Sequence, residues 1–355
     1  MLNPERVELV RKRLGLTKIG FAAKLVVDRK TIQRFEKGTT ELPPASVERL
    51  CEMSGFPLEF FSKRAPEYPN PDGVSFRSLR SLTAGSRDAA MAAGALAFEF
   101  DDWINEKYDL PEHNIPSMEQ MEKATPIEAA AYVRSVWGIG QRPISNVINL
   151  LEANGIRIFS LAEETRHLDA YSLWRNDKPY IFLNTMKTTE RSRHDACHEL
   201  GHLVMHRHCG SSHTSAENEA NAFASAFLMP PDDLKAEIPW VHSLDQLIKK
   251  KRRWGVSVAS LNYALHKLNK ISDWNYRSNY IALGQMGRAN EPNPLPPETS
   301  QIWAKILTDL WQQGKPLSRL AEDIKIPEKE LNDLLFGIAA PRSAPSKQGT
   351  LRIVN

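Results

Sequence analysis

Cysteine is scarce in this chain. Its 355 residues include only Cys51, Cys197 and Cys209, and no two of them form a Cys-x-x-Cys pair. An odd number of cysteines without such a pair argues against a disulfide framework and makes the cytoplasm the expected compartment. Because the sequence around Cys197 and Cys209 breaks any thiolate metal-site pattern, we expect both to be buried structural thiols.

Long apolar stretches are also absent. No run of about 18 apolar residues occurs, and the first residues lack the basic, apolar and small segments of a secretory signal, so we expect neither a membrane span nor secretion. With 41% hydrophobic and 25% charged residues, the composition is typical of a soluble globular protein. At roughly 100–200 residues per domain, the length predicts two or three domains.

The formal net charge of +3 is unevenly distributed along the chain. Residues 1–37 carry ten Lys and Arg against four Asp and Glu, a surplus of six positive charges, so the remainder has a net charge of −3. A small basic module joined to a mildly acidic body indicates an anionic partner for the module, with nucleic acid as the first candidate. The alternative is a charged helix face that only contacts solvent.

Residues 4–64 are predicted to form a string of short helices. Thr17 is a suitable N-cap for a helix over Lys18–Leu25, and Asp28 is a suitable N-cap for the next one. Two short helices joined by a tight turn inside a basic module of about 60 residues is the helix-turn-helix layout. We therefore predict that residues 1–64 bind DNA.

Beyond a proline-rich linker at 65–73, the chain combines helical segments with a short β-like region. The segments 156–161, Leu168–Trp174 and Pro179–Leu183 favour strands, and Arg175–Lys178 indicates a hairpin turn. We find no internal repeat, and the predicted fold class is mainly α with a small β-sheet (α+β). The principal helices of this part are predicted at Ala89–Asp109, Thr125–Trp137, Asn146–Ala153, Thr188–His206 and Ala216–Met229.

One motif carries metal chemistry. His198-Glu199-Leu200-Gly201-His202 is a His-Glu-x-x-His sequence in a predicted helix. Residues four apart lie on one helical face, so both imidazoles can point at one ion while Glu199 lies beside it. Two nitrogens and one oxygen suit Zn²⁺ and leave a fourth position for water, whose pKa then falls to about 7.

The third metal ligand has two sources in the sequence. His208 stands six residues after the motif, but Met205 occupies the position where a His-Glu-x-x-His-x-x-Gly-x-x-His site needs a turning glycine. The alternative is a carboxylate on the next predicted helix, where Glu217 and Asn221 share a face. We favour Glu217 as the ligand, with Asn221 orienting a histidine by a hydrogen bond, and keep Glu219 and His208 as alternatives.

Other polar residues near the motif have structural explanations. At the end of a helix, His206 and His208 can interact with the last carbonyl groups and the dipole without a metal, and we prefer this interpretation. Glu219 lies about 200° around the helix axis from Glu217 and is expected to be exposed or salt-bridged. The sequence alone selects no hydrogen-bond donor for a developing oxyanion, for which Tyr171 and His213 are the candidates.

Two segments resemble the ImmA/IrrE family of metallopeptidases. They are Thr-x-Glu-Arg-x-Arg-His-x-x-x-His-Glu-Leu-Gly-His-Leu-Val-Met-His (188–206) and Glu-x-Glu-Ala-Asn-Ala-Phe-Ala-x-x-Phe-Leu-Met-Pro (217–230). The resemblance covers about residues 75–290. It implies a zincin-like endopeptidase that cuts a helix-turn-helix repressor at one site and so derepresses stress or mobile-element genes.

This resemblance also implies roles for individual residues. His198, His202 and Glu217 would bind the metal, which would be Zn²⁺, with Mn²⁺ or another divalent ion as the alternative. Glu199 would be the general base, taking a proton from water and returning it to the leaving amine. The implied protein partner is a helix-turn-helix repressor as the substrate.

Residues 4–62 are similar to the lambda-repressor-like (XRE) helix-turn-helix domain, in the segments Leu16–Leu25 and Asp28–Gly38. In that fold the third helix enters the major groove, and such modules often bind DNA as dimers, so a homodimer is expected. The negative charge of Asp28 is unfavourable next to DNA phosphates unless its side chain only caps a helix. The alternative to DNA binding is that this domain binds protein. The candidates are Arg29, Lys30 and Gln33 for base edges and Lys18, Arg34 and Lys37 for phosphates.

Three functions fit these predictions. The first is a DNA-associated metallopeptidase, the second is a transcriptional regulator whose peptidase-like domain senses a metal or ligand, and the third is a toxin–antitoxin-type binding partner. Glu199 beside both histidines favours the first, because a sensor has no need of a general base. The predicted segments are a helix-turn-helix domain at 1–64, a linker at 65–73, a metallopeptidase domain at 74–235, a helical region at 236–340 and a loose tail at 341–355.

Overall fold

The computed structural model describes residues 2–70, 83–118, 124–161, 169–207, 214–287 and 290–339. These residues form 17 α-helices and one three-stranded sheet, which confirms the mainly α class with a small β-sheet. None of their helices is both long and apolar enough to cross a bilayer. The predicted tail and the end of the predicted linker, 71–73, lie outside the described residues. The segment boundaries stay predictions.

The elements follow one another in this order. The N-terminal helices are α1 (Pro4–Arg13), α2 (Lys18–Leu25), α3 (Arg29–Glu36), α4 (Pro44–Ser54) and α5 (Leu58–Phe61). The central elements are α6 (Ala84–Asn105), α7 (Pro126–Val136), α8 (Val147–Ala153), β1 (Arg157–Ser160), β2 (Ala170–Arg175), β3 (Lys178–Leu183), α9 (Thr189–Met205) and α10 (Thr214–Leu228). The last are α11 (Pro231–Glu237), α12 (Leu244–Lys250), a 3₁₀ turn (Lys251–Arg253), α13 (Val258–Lys267), α14 (Asp273–Met286), α15 (Gln301–Gln312), α16 (Leu317–Ile324) and α17 (Glu328–Leu335).

The N-terminal helices have helix-turn-helix geometry. The side chains of Thr17 and Asp28 accept hydrogen bonds from the amides of Gly20 and Thr31, so both predicted caps begin their helices. Between them, Val26 takes the left-handed conformation (φ 54°), which ends α2 and turns the chain. The apolar faces of the two helices are buried against each other through Phe21, Leu25, Ile32 and Phe35.

Helix α6 differs from its prediction at both ends. It begins five residues before Ala89, because the Thr83 side chain accepts a hydrogen bond from the Ser86 amide and caps the helix there. It ends at Asn105, whose side-chain amide donates to the carbonyl oxygen of Asp101 at 2.6 Å. An asparagine that bonds a backbone carbonyl in this way competes with continued helix formation.

The sheet has the order β1-β3-β2, and its strands β2 and β3 pack against α9. Strand β3 runs parallel to β1 and antiparallel to β2. The predicted hairpin turn joins β2 to β3 through Asn176 and Asp177, both in the left-handed region (φ 48° and 61°). All three predicted strands are therefore present, with bounds that differ from the predicted ones by at most two residues.

Helices α9 and α10 pack closely side by side. Gly201 permits this approach, because a Cβ atom at its position would lie 3.2 Å from the Ala220 Cα and 3.1 Å from the Phe223 ring. Leu200, Leu203 and Val204 are buried, so the apolar side of α9 faces the core. The motif helix thus presents its histidines to α10.

The last two helices have the same lengths and the same type of connecting turn as α2 and α3. Each pair has two eight-residue helices separated by three residues, the first of them left-handed: Val26 and Lys325 (φ 59°). Most shared positions are apolar, and Arg29 and Arg34 of α3 correspond to Glu328 and Asp333 of α17. The equivalent buried pairs are Phe21 and Leu320, Leu25 and Ile324, and Ile32 and Leu331.

Candidate active site

Two histidines and one glutamate from neighbouring helices form a cluster. His198 and His202 lie one turn apart on α9, and Glu217 lies in the first turn of α10. The two Nε2 atoms of the histidines are 3.1 Å apart. Glu217 places Oε2 at 3.5 Å from His198 Nε2 and Oε1 at 3.6 Å from His202 Nε2. The structure brings the three predicted ligands together.

These separations suit a tetrahedral metal site. With metal–ligand bonds of about 2.0–2.2 Å, ligand atoms at the corners of a tetrahedron lie roughly 3.3–3.6 Å apart. Each of His198, His202 and Glu217 offers one ligand atom, and these atoms all lie within 4.8 Å of one another. The donor set therefore fits a zinc-sized cation.

The charge of the cluster also suits a cation. Burial alone raises the pKa of Glu217, but hydrogen bonds and charge attraction from His198 and His202 lower it well below its ordinary value. For His198 the balance is opposite: burial lowers the pKa, whereas the contact with Glu217 and the charge of Glu199 raise it. Glu217 is therefore ionised at neutral pH, and its negative charge favours a bound cation.

Glu199 lies between α9 and strand β2. Its Oε2 accepts a hydrogen bond of 2.6 Å from the Ser172 hydroxyl. Both residues are buried, each 2% exposed. Sequence reasoning missed Ser172, which lies 27 residues earlier and meets Glu199 only through the packing of β2 on α9. The available signal was one polar residue within an otherwise apolar stretch of strand.

Asn221 lies where it was predicted, beside a histidine of the cluster. Its Oδ1 is 3.1 Å from His198 Nδ1, so it can accept a hydrogen bond from the nitrogen that faces away from the cluster. Its role as an orienting residue stays a prediction. His206 does end α9, but its ring also lies 3.1 Å from the His202 ring, and Glu219 pairs with His206 at 3.0 Å.

The remaining candidates do not reach the cluster or lie outside the described residues. Side chains alternate along a strand, so Tyr171 is on the opposite face of the sheet from Ser172, and its hydroxyl donates to the Ala90 carbonyl oxygen at 3.2 Å. Cys197 is fully buried, and burial raises the pKa of its thiol to about 12. His208, Cys209 and His213 lie outside the described residues.

The predicted DNA contacts share one surface of the N-terminal domain. Four of them are exposed, Gln33 is half-buried, and Lys18 forms an ion pair with Glu36. Asp28 caps α3, with its Oδ1 2.9 Å from the Thr31 amide, so its carboxylate serves the helix. The exposed cations are Arg29, Lys30, Arg34 and Lys37.

Comparison with known families gives two matches. Residues 151–266 match the Peptidase_M78 family, described as the IrrE N-terminal-like domain, and residues 7–61 match the helix-turn-helix family HTH_3. The chain therefore joins an XRE-type helix-turn-helix domain to an IrrE-like peptidase domain, as the resemblance implied. A comparison with curated proteins gave no match. The first family match contains the sheet, α9 and α10, and hence the whole His-His-Glu cluster.

These matches support a DNA-binding regulator with a metallopeptidase-like domain. Peptidases of the matched family typically depend on a metal. The cluster of His198, His202 and Glu217 offers the donors that such an ion needs.

Proposed function

We propose that this protein is a zinc-dependent endopeptidase that binds DNA and cuts a helix-turn-helix repressor, thereby derepressing stress or mobile-element genes. The observation that carries the proposal is the meeting of three metal-binding side chains with a buried carboxylate that is next in sequence to one of them. His198, His202 and Glu217 would hold the ion, and Glu199 would be the base. A domain that only senses a metal needs the three metal-binding residues but does not need Glu199.

The reaction assigns one task to each group. His198, His202 and Glu217 would hold a divalent ion, Zn²⁺ with Mn²⁺ or another ion as the alternative, which would supply a Lewis acid for the peptide carbonyl and the attacking water. The Glu199 carboxylate accepts a proton from the attacking water and delivers it to the nitrogen of the leaving amine. Ser172 holds one oxygen of that carboxylate through a 2.6 Å hydrogen bond, which fixes its orientation. Asn221 holds the His198 ring by accepting from Nδ1.

A groove beside the cluster can receive a polypeptide. It has a volume of about 960 Å³ and lies between α10, α11 and α13. Asn221 is among its lining residues, and both small and large side chains, such as Ala222 and Tyr263, form its walls. A substrate segment that enters this groove would contact Asn221, the hydrogen-bond partner of His198.

The N-terminal domain would place the peptidase at its target genes. The cations Arg29, Lys30, Arg34 and Lys37 face solvent, so α3 is free to approach a major groove. We propose that two copies bind one operator as a homodimer, as many helix-turn-helix proteins do. Sedimentation of the protein with and without operator DNA tests this part independently of proteolysis.

The decisive experiment is a cleavage assay. Zinc-loaded wild type, Glu199→Gln and a control, Glu106→Gln at the exposed end of α6, are each mixed with the helix-turn-helix repressor encoded nearest the gene, with and without DNA. We expect a single cut by the wild type and the control, abolished by a chelator, and none by Glu199→Gln with zinc still bound. Cleavage by Glu199→Gln would refute the mechanism. No cut by any protein, with zinc and DNA both bound, would favour a regulator that only senses.

A further inference from the structure

A chain of hydrogen bonds leaves the His-His-Glu cluster on the side away from Asn221. His202 Nδ1 lies 3.1 Å from His206 Nδ1, and His206 Nε2 lies 3.0 Å from an oxygen of Glu219. The backbone amide of His206 also donates to the His202 carbonyl oxygen at 3.0 Å at the end of α9, and the two ring centroids are 5.2 Å apart.

We propose that His206 and Glu219 are positioning residues that orient His202 for metal binding. The inference rests on the proposed function, since it concerns the same metal site. Glu219 fixes the His206 ring, and His206 fixes the proton of His202, so that His202 Nε2 carries a free lone pair toward the metal. Neither residue touches the metal itself.

Proton placement along the chain has only one consistent solution. When His202 binds a metal through Nε2, its Nδ1 carries the proton and must donate a hydrogen bond. His206 Nδ1 then has to accept, because two N–H groups facing each other at 3.1 Å would repel. His206 consequently carries its own proton on Nε2, which donates to the Glu219 carboxylate.

Burial distinguishes this arrangement from a helix end in solvent. The His206 side chain is 9% exposed, whereas the Glu219 side chain is 42% exposed. The chain of hydrogen bonds therefore begins at the Glu219 carboxylate, which water can reach, and ends at His202, whose side chain is 5% exposed. A histidine that only satisfied the last carbonyl groups of α9 would have no reason to be enclosed between another imidazole and a carboxylate.

The two glutamates of α10 reach His202 from opposite sides. Glu217 Oε1 lies 3.6 Å from Nε2, the metal-facing nitrogen, and Glu219 acts on Nδ1 through His206. Because they are two residues apart on α10, the side chains of Glu217 and Glu219 point in different directions. His206, at the end of α9, connects Glu219 to His202. Glu219, an alternative ligand by sequence, thus acts outside the ligand set.

Outer hydrogen-bond partners of metal-binding histidines typically change metal affinity by about 10–100-fold. We therefore expect His206→Ala and Glu219→Ala each to weaken zinc binding by about 10–100-fold. His206→Asn keeps an acceptor close to the position of Nδ1 and should restore most of the affinity. The control is His242→Ala, an exposed histidine between α11 and α12.

The experiment measures zinc affinity of the full-length protein by competition with a chromophoric chelator, and circular dichroism verifies that each variant is folded. A second readout is long-range ¹H–¹⁵N NMR of zinc-loaded, ¹⁵N-histidine-labelled wild type. We expect the proton on Nδ1 of His202 and on Nε2 of His206.

Each outcome decides the inference. Wild-type zinc affinity in both His206→Ala and Glu219→Ala, or equal losses in His206→Asn and His206→Ala, would overturn it and leave the metal site intact. A His206 proton on Nδ1 in the zinc-loaded protein would also overturn it. A wild type that binds no divalent metal would overturn the proposed function together with this inference.

Discussion

The hydroxyl of Ser172 lies 2.6 Å from Oε2 of Glu199, and both side chains are almost completely buried. A strand residue thus holds the carboxylate of the motif helix in one orientation. Since Glu199 must meet a water molecule at a defined angle, the loss of this bond should reduce its efficiency as a base without affecting the metal ligands.

Ser172→Ala is therefore expected to lower kcat by about 10-fold or more at unchanged zinc content, because general-base catalysis contributes roughly 10²–10⁴-fold and only its positioning is impaired. Ser172→Thr keeps the hydroxyl and should retain most of the activity. The matched control is Ser160→Ala in β1, whose hydroxyl contacts Thr185. Full activity of Ser172→Ala would show that Glu199 needs no such support.

The docking of the C-terminal helix pair on the N-terminal domain gives a second prediction. Arg13 Nε lies 2.7 Å from Glu330 Oε2, and their side chains are 12% and 9% exposed. A double-mutant cycle of Arg13→Ala and Glu330→Ala should give a coupling energy of about 1–3 kcal/mol in thermal unfolding, as for a largely buried charged hydrogen bond. The exposed pair Arg319 and Glu322 should give at most about 0.5 kcal/mol. Equal coupling in both pairs would contradict this account.

A buried acid in α8 predicts how stability depends on pH. Burial raises the pKa of Glu152 to about 7, although Ser300 donates a hydrogen bond to Oε1. Oε2 has no hydrogen-bond partner in the described part of the chain. The unfolded chain ionises this group near pH 4.5 and the folded protein only near pH 7, so stability falls as pH rises across that interval and is constant above it.

Glu152→Gln stays neutral at every pH. Relative to the wild type, it should gain stability on the order of 3 kcal/mol between pH 4.5 and pH 8, since one pKa unit corresponds to about 1.4 kcal/mol. Urea unfolding of both proteins at the two pH values tests this, and the titration of other groups cancels in the difference. Parallel pH profiles would show that Glu152 titrates normally in the folded protein.

The DNA-binding surface predicts two different kinds of defect. Lys37→Ala should weaken binding to all sequences and reduce the slope of log K against log salt by about 1, because it removes one phosphate contact. Gln33→Ala should cost about 1–3 kcal/mol on the operator and little on unrelated DNA. Lys305→Ala, an exposed lysine on α15, is the control. Identical effects of the first two variants on operator and unrelated DNA would refute the assignment of Gln33.

Sequence reasoning succeeded where the signal is local. The helix caps at Thr17 and Asp28 depend on a few neighbouring residues, and so do the hairpin between β2 and β3 and the motif face of α9. Asn221 could be placed because its spacing from Glu217 defines a common helix face.

The contacts that sequence reasoning missed depend on packing between distant segments. Ser172 meets Glu199 only when β2 lies beneath α9, and Glu219 reaches His206 only because α10 packs on the end of α9. The correspondence between the C-terminal helix pair and α2 and α3 leaves little signal in the sequence, because few of the equivalent residues are identical. Such relationships have no period or motif by which a single sequence could reveal them.

The central claim is that His198, His202 and Glu217 bind a zinc ion beside Glu199. An anomalous difference map, recorded above the zinc absorption edge from crystals of the zinc-loaded full-length protein, tests it most directly. The account predicts one strong peak about 2.0–2.2 Å from His198 Nε2, His202 Nε2 and a carboxylate oxygen of Glu217. Zinc found only at other positions, or no peak at this cluster in zinc-saturated crystals, would contradict it.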